Sequence, residues 1–317
     1  DFALSVQKEG LTWAELTKEQ RTEMIDASLD KAAADYGNTI LSSNARNEYM
    51  LERTRRILHR TVWALQEQLK NGEFSPESFE VSFQGGRIDR VDLLEESDKV
   101  YVRVIDYKTG STSFDLVQLY HGLQLQLMIY LNSALQVERA KHPEKEIMPA
   151  GIFYYNIKDP MLSDKIETDI RDLEEKLLKE LKMNGLAYAD RDVVEKMDRT
   201  CRSLPVDFKK DGTFTAYSSV AEKEQFTLLE QFIQRKTSDA RDAILEGNVS
   251  VSPYELGSKN ACMYCPYETV CGFDCRIPGF EFRRLQAFEK ENIWSAFQKE
   301  TDQAMNGETQ KEGEGVI

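Results

Sequence analysis

Residues 86–108 read GRIDRVDLLEESDKVYVRVIDYK. Arg87 to Leu94 alternates apolar with polar residues, and Lys99 to Tyr107 is rich in β-branched and aromatic residues. Both runs predict strands. Phe79 to Phe83 alternates in the same way, and Gly85-Gly86 between the first two runs suits a tight turn. The three runs together predict an antiparallel meander. On a strand, residues two apart share a face, so Asp106 and Lys108 emerge side by side while Tyr107 points the other way. If the last two strands are neighbours, Asp89 meets Asp106 across the ladder.

Two carboxylates and an amine gathered this way suit a hard divalent cation. Magnesium keeps several of its waters and so tolerates a site with few protein carboxylates. A cation held there lowers the pKa of its bound water and polarises a phosphoryl oxygen. Lys108 would offset the negative charge that develops during phosphodiester hydrolysis. The alternative is a cross-strand ion pair on the surface, worth about 0–1 kcal/mol.

Working outward, Asp115 to about Arg139 has the length and leucine content of one long buried helix, and Gly151 to Ile157 reads as a fourth strand. The core is therefore expected to be mixed α/β. Upstream, Thr12 to Lys70 is helical in pattern, with Thr17 as the cap of a helix starting at Lys18, and with Leu51, Leu58, Val62 and Leu65 on one face. That segment ends at Asn71-Gly72, after which Ser75-Pro76 prepares extended chain. Downstream, Asp164 to Met183 and Ala221 to Glu246 read as amphipathic helices. The expected organisation is a helical N-terminal segment (1–75), a core (76–160), a helical C-terminal part with a cysteine cluster (161–300) and a disordered tail (301–317).

The 317 residues carry a net charge of −14 and are 41% hydrophobic, a balance that opposes broad affinity for phosphate backbones. Any contact with nucleic acid must be local. Arg53, Arg56 and Arg60 share a helix face, and Arg276 lies with Arg283 and Arg284 beyond the cysteines. The competing view of the first group is a solvated face balanced by Glu48 and Glu52. Leu123 to Leu131, the most apolar stretch, is interrupted by Gln124 and Gln126 and is too short to span a bilayer. No Gly-x-x-x-x-Gly-Lys-Ser/Thr loop is present, so ATP must be bound elsewhere. The chain opens on Asp1 with no secretory pattern, which leads us to expect an excised piece of a larger cytoplasmic protein. Four of its five cysteines, Cys262, Cys265, Cys271 and Cys275, lie within one short segment. In a reducing compartment such a cluster holds zinc or an iron–sulfur group, and spacing alone does not separate the two.

Gly-x-Ile-Asp-Arg at 86–90, Ile-Asp-Tyr-Lys-Thr-Gly at 105–110 and Gln126-Leu127-Met128-Ile129-Tyr130 together resemble the PD-(D/E)XK nuclease superfamily in its RecB-like branch. Leu119 to Leu127 and Gly151-Ile152-Phe153-Tyr154-Tyr155 further resemble the B subunit of AddAB-type helicase–nucleases, and the likeness covers nearly the whole chain. It implies an α/β, restriction-endonuclease-like mixed sheet flanked by helices. It implies that Asp89 and Asp106 bind Mg²⁺ or Mn²⁺ with help from the Tyr107 carbonyl, and that Lys108 is catalytic. Gln126 and Tyr130, one helical turn apart, would orient water, lysine or DNA; their plainer roles are a satisfied amide and a core aromatic. Glu80 is either a further acid near the metal or a solvated strand residue. The family's upstream helix, with its histidine or acid, is expected before Asp1, because His59 and His121 do not stand in its context.

The resemblance also implies a [4Fe–4S] cluster held by Cys262, Cys265 and Cys271 together with a distant upstream cysteine. Here only Cys201 lies upstream, and it reads as a core thiol. Cys275 is the local candidate for a fourth ligand, so the cluster is expected to be incomplete in this piece. The implied function is that of a DNA exonuclease domain that processes double-strand breaks for recombinational repair, next to a motor-bearing A subunit. The rivals are a non-catalytic scaffold for guiding DNA or docking subunits, and a Cas4-like or standalone RecB-like nuclease.

Overall fold

The computed structural model describes residues 1–36, 40–83, 86–162 and 169–314, with side chains described as far as residue 303. Its helices are α1 (Phe2–Lys8), α2 (Lys18–Asp35), α3 (Ala45–Lys70), α4 (Leu116–Tyr120), α5 (Gln126–Lys141), α6 (Ile170–Glu180), α7 (Arg191–Met197), α8 (Lys223–Leu245), α9 (Glu268–Cys271) and α10 (Ile293–Glu314). Its strands are β1 (Ser75–Phe83), β2 (Gly86–Glu95), β3 (Lys99–Lys108), β4 (Glu146–Asn156), β5 (Asn184–Tyr188), β6 (Val220–Ala221), β7 (Tyr254–Leu256), β8 (Lys259–Asn260) and β9 (Arg283–Arg284). The chain divides into two units: Asp1–Phe114 with Tyr130–Lys223, and Asp115–Ile129 with Glu224–Ile317.

The first unit is built on a six-stranded sheet ordered β1-β2-β3-β4-β5-β6. Its first three strands form the antiparallel meander expected from the alternation. β4 then joins β3 in parallel, β5 is antiparallel to β4 and β6 is parallel to β5, which makes the sheet mixed. Pro76 sits on β1, an edge strand, where its missing N–H costs no ladder bond. β3 is buried from Val100 through Asp106, as a strand covered on both faces must be.

Thr17 caps α2 as expected, and Gln20 completes a reciprocal capping box. α3 begins at Asn44, whose side chain accepts from the Asn47 amide, and buries Val62, Leu65 and Leu69. These residues join Trp13, Ile105, Phe153 and Tyr155 in the core on one side of the sheet. Leu51 and Leu58 are only partly covered.

β4 carries a bulge. Val102 pairs with Pro149 but Arg103 pairs with Gly151, so Ala150 is an extra residue. Pro149 has no N–H to keep a regular ladder there. The core-facing phase of β4 changes at this point, from Met148 and Ala150 to Phe153 and Tyr155. Gly185 on β5 is obligatory for a different reason, since a Cβ there would lie 2.0 Å from the Ile152 carbonyl oxygen.

Several expectations need correction. The long helix from Asp115 to Arg139 is two helices, because the chain turns at Gly122 in the left-handed region (φ +78). The segment after residue 160 holds β5, β6 and the small β8-β7-β9 sheet as well as helices. α6 is shorter than the helix expected over Asp164 to Met183, whose first residues lie outside the described set, as does Gly85 of the expected turn. α10 takes in most of the segment expected to be a tail, and residues 315–317 lie outside the described set.

Candidate active site

β2 and β3 position the acidic residues. Their ladder closes outward on Arg90 paired with Ile105, so the next positions along the two strands are Asp89 and Asp106, near enough for the charge of one to act on the other. The main-chain N–H of Tyr107 donates to Asp89 Oδ2 at 2.8 Å. Asp106 is 1% exposed. Burial pushes its carboxyl above the usual range, the Lys108 ammonium opposes that shift, and the like charge of Asp89 adds to it. Lys108 Nζ lies 2.7 Å from Asp106 Oδ2.

The same ammonium sits 5.5 Å from the ring centroid of Tyr154, the residue opposite Asp106 in the β3–β4 register. Tyr154 is buried, and its hydroxyl is pushed up to about 12 by burial, by Asp106 and by Tyr130. Tyr130, on α5, meets Phe83 edge to face at 5.6 Å. Asp89, Asp106, Lys108 and Tyr130 are thus gathered with Tyr154, a residue to which the sequence alone assigns no role. Its signal is indirect: it follows the bulge in β4, which alternation does not place.

Glu80 stands at the β1 position opposite Asp89 but leaves the ladder, with φ at +52. That conformation is unfavourable for a residue with a Cβ. Its carboxylate pairs with Arg87 at 2.9 Å. Glu80, Asp89 and Tyr107 line one wall of a cavity of about 340 Å³ whose remaining walls include Trp13, Thr61 and Val62. Gln126 is exposed at the first position of α5 and groups with the second unit.

On the opposite face of β2 and β3, Arg90 and Arg103 both reach Asp92, with Arg90 Nε 2.6 Å from Oδ1. All three are fully buried. Burial pushes the Asp92 carboxyl up, and the two guanidinium groups overcome that and hold it below the usual carboxylate range. Arg90 also donates to the Tyr107 hydroxyl at 3.3 Å and lies over the Trp13 ring. Sequence alone does not reveal this cluster, because charged residues on a strand look solvated until the covering layer is known.

The donor set beside Lys108 suits a hard divalent cation: two carboxylates lie close, and the buried one resists ionisation mainly because of its burial and further because of the like charge of Asp89, both of which a cation would offset. Among the described residues no group of three or more His, Cys, Asp and Glu side chains is gathered as a metal would need. Magnesium retaining its waters asks for no more than such a pair. In the second unit Cys262 and Cys265 are half-exposed, and Cys271 and Cys275 are exposed. Burial pushes the Cys262 thiol up, and the other three cysteines add to the shift, so the four thiols share one neighbourhood short of coordinating geometry. Cys201, in the first unit, is pushed up to about 11, mainly by burial.

Two of the arginines considered for DNA are engaged with a carboxylate: Arg56 lies 2.6 Å from Asp159, and Arg60 pairs with the same residue. Arg276 is clasped by Asp274 at 2.6 Å, and Arg53 is exposed. His59 bonds Asp26 at 2.9 Å, and His121 meets the Gln286 carbonyl at 2.8 Å within the second unit. No helix among the described residues is long and apolar enough to cross a membrane.

Residues 5–272 match the family described as the PD-(D/E)XK nuclease superfamily. Among curated proteins, the chain is 40% identical over 322 residues to the B subunit of the ATP-dependent helicase/deoxyribonuclease of Lachnoclostridium phytofermentans, covering 95% of this chain and 28% of that protein. It is 34% identical to the protein of the same name from Thermoanaerobacter sp., again over 95% of this chain and 28% of the relative. With the Clostridium acetobutylicum protein of that name it shares 32% identity over 94% of this chain and 28% of the relative. The chain therefore spans little more than a quarter of the length of these relatives.

Proposed function

The chain belongs to the PD-(D/E)XK nuclease superfamily, and on that premise we propose that it is the metal-dependent DNA exonuclease domain of a helicase–nuclease that processes double-strand breaks for recombinational repair. The observation that carries this reading is the convergence of Asp89, Asp106 and Lys108 at the ends of β2 and β3, with the ammonium 2.7 Å from the buried carboxylate. Asp89 and Asp106 would hold Mg²⁺ or Mn²⁺, with the Tyr107 carbonyl and Glu80 as further oxygen donors. Bound there, the cation supplies a water of lowered pKa and polarises the phosphoryl oxygen.

The protein's own groups do the rest. Asp89 is fixed by the Tyr107 amide, so the oxygen it presents is preorganised. Lys108, bracketed by Asp106 and the Tyr154 ring, is held where the phosphodiester gains negative charge. Tyr130 packs beside this group and, with Gln126, orients water or DNA. Arg53, Arg56, Arg60 and Arg276 contact phosphates, the last three by giving up Asp159 or Asp274. Such contacts hold a strand without reading its sequence.

The names of the relatives, each the B subunit of an ATP-dependent helicase/deoxyribonuclease, support a cytoplasmic assembly in which an A subunit partners this chain and ATP is bound outside it. Cys262, Cys265 and Cys271 would hold a [4Fe–4S] cluster with a fourth thiolate, for which Cys275 is the local candidate. The test is degradation of single-stranded DNA in Mg²⁺ by the wild-type protein, Asp106→Ala and Lys108→Ala. Both variants should be inactive, and equal degradation by all three would end the enzymatic reading.

A further inference from the structure

The three residues after Lys108 form a small exposed arch, Thr109-Gly110-Ser111, and both its feet stand on the end of β4. At the near foot the Ile157 N–H donates to the Lys108 carbonyl at 2.7 Å. At the far foot the Asn156 side chain binds Thr112 reciprocally: the Thr112 N–H donates to Asn156 Oδ1 at 3.1 Å, and Asn156 Nδ2 donates to the Thr112 carbonyl at 2.9 Å. Asn184 adds a second clasp, donating to the same carbonyl at 3.0 Å and accepting from the Phe114 N–H at 2.7 Å. Asn156 is also the register partner of Lys108.

Five hydrogen bonds therefore fix the chain on either side of the arch. The arch itself makes none: among the described residues nothing bonds to Thr109, Gly110 or Ser111. All three are exposed, and a side chain at Gly110 would meet nothing within 4 Å. An arch that is closed at both ends, yet leaves successive main-chain N–H groups and two hydroxyls without internal acceptors, presents donors to an anion. Because the flanking chain is already ordered, binding costs little further conformational entropy.

We propose that Thr109-Gly110-Ser111 is a phosphate-holding arch that grips the DNA backbone at a phosphodiester next to the one Lys108 faces. The inference rests on the reading of Asp89, Asp106 and Lys108 as the hydrolytic centre. The arch is neutral and takes no part in the chemistry. Its effect is on the hold and alignment of the strand.

The test is binding of a fluorescein-labelled single-stranded oligodeoxynucleotide, followed by anisotropy in chelator so that no cleavage intervenes. Gly110→Glu and Ser111→Glu place a carboxylate on the arch, and Gly110→Gln and Ser111→Gln serve as neutral controls of nearly equal size. The Glu variants should bind about tenfold more weakly than wild type and the Gln variants within about twofold of it, since the contact is electrostatic. Thermal melting of all four should match wild type because these positions are open to solvent. Wild-type affinity in the Glu variants, or equal weakening by Glu and Gln, would overturn the arch while leaving the hydrolytic centre standing. Undiminished cleavage by Lys108→Ala in Mg²⁺ would instead overturn the centre on which the arch depends.

Discussion

The main-chain amide of Tyr107 donates to Asp89 Oδ2 at 2.8 Å, so the backbone of β3 fixes a carboxylate carried by β2. The Tyr107 hydroxyl is in turn bonded by Arg90. Geometry at the candidate centre is therefore tied to the charge cluster behind it.

Lys108 is held by Asp106 on one side and the Tyr154 ring on the other. Lys108→Met should lower kcat for DNA hydrolysis by about 100-fold or more, the scale expected for removing a charge aimed at the transition state. Tyr154→Phe keeps the ring and should stay close to wild type. Tyr154→Leu removes a desolvated cation–π contact worth ~1–2 kcal/mol and should reduce kcat about tenfold with KM little changed. Steady-state kinetics on single-stranded DNA measures all three.

Asp106 binds its proton at a higher pH in the folded protein than in the unfolded chain, because burial and Asp89 outweigh Lys108. Such a group weakens the fold as pH rises from the unfolded to the folded pKa, and has no effect in acid below both. Asp106→Asn should therefore melt at a higher temperature than wild type at neutral pH, with the difference closing as the pH falls below the carboxylate range. Mg²⁺ should raise the melting temperature of wild type and not that of the variant. Scanning calorimetry across pH, with and without the cation, decides it.

Asp92 behaves in the opposite sense. Its carboxyl is held below the usual range by Arg90 and Arg103, so its stabilisation is complete above the unfolded carboxyl pKa and is lost as pH falls through the folded value. Asp92→Asn leaves two buried guanidinium groups uncompensated and should cost about 3–5 kcal/mol. A urea midpoint that does not move at neutral pH would show that the cluster contributes nothing.

The cysteine segment yields a composition test. Protein purified without oxygen should carry iron and visible absorbance, and Cys262→Ser, Cys265→Ser or Cys271→Ser should each remove both. Cys201→Ser should leave them unchanged, since that thiol is half-buried in the other unit. Metal analysis finding zinc, or no metal, would refute the iron–sulfur assignment.

The parts of the molecule legible in the sequence were those fixed by local rules. Alternation places β1 and β2, β-branched and aromatic content places β3, and together they bring Asp89, Asp106 and Lys108 onto neighbouring strands. Thr17 announces the start of α2 because capping is a local event; the part played by Gln20 comes from the structure. Gly122 does not mark a break in the sequence because glycine is tolerated inside a helical pattern, and only its left-handed φ shows that the helix stops short of it. β5 is not legible in the sequence because five residues carry little periodicity, and its Gly185 reads as a breaker until the Ile152 carbonyl is placed against it. Tyr154 and Asn156 escaped notice because their neighbours depend on a long-range register. Arg90, Asp92 and Arg103 escaped because their burial depends on a layer contributed by distant residues.

The bulge at Ala150 decides which ring the Lys108 ammonium meets. A straight ladder continuing from Val102 and Pro149 would set Phe153 opposite Asp106 and Tyr155 opposite Lys108, so Asn156 would slide past the point where it clasps Thr112. One surplus residue, enforced by an imino acid that cannot donate, keeps the frame of the strand. A replacement at Pro149 that restores the missing N–H opens a competing frame, and would disturb the candidate site from the far end of a strand without altering any of its side chains.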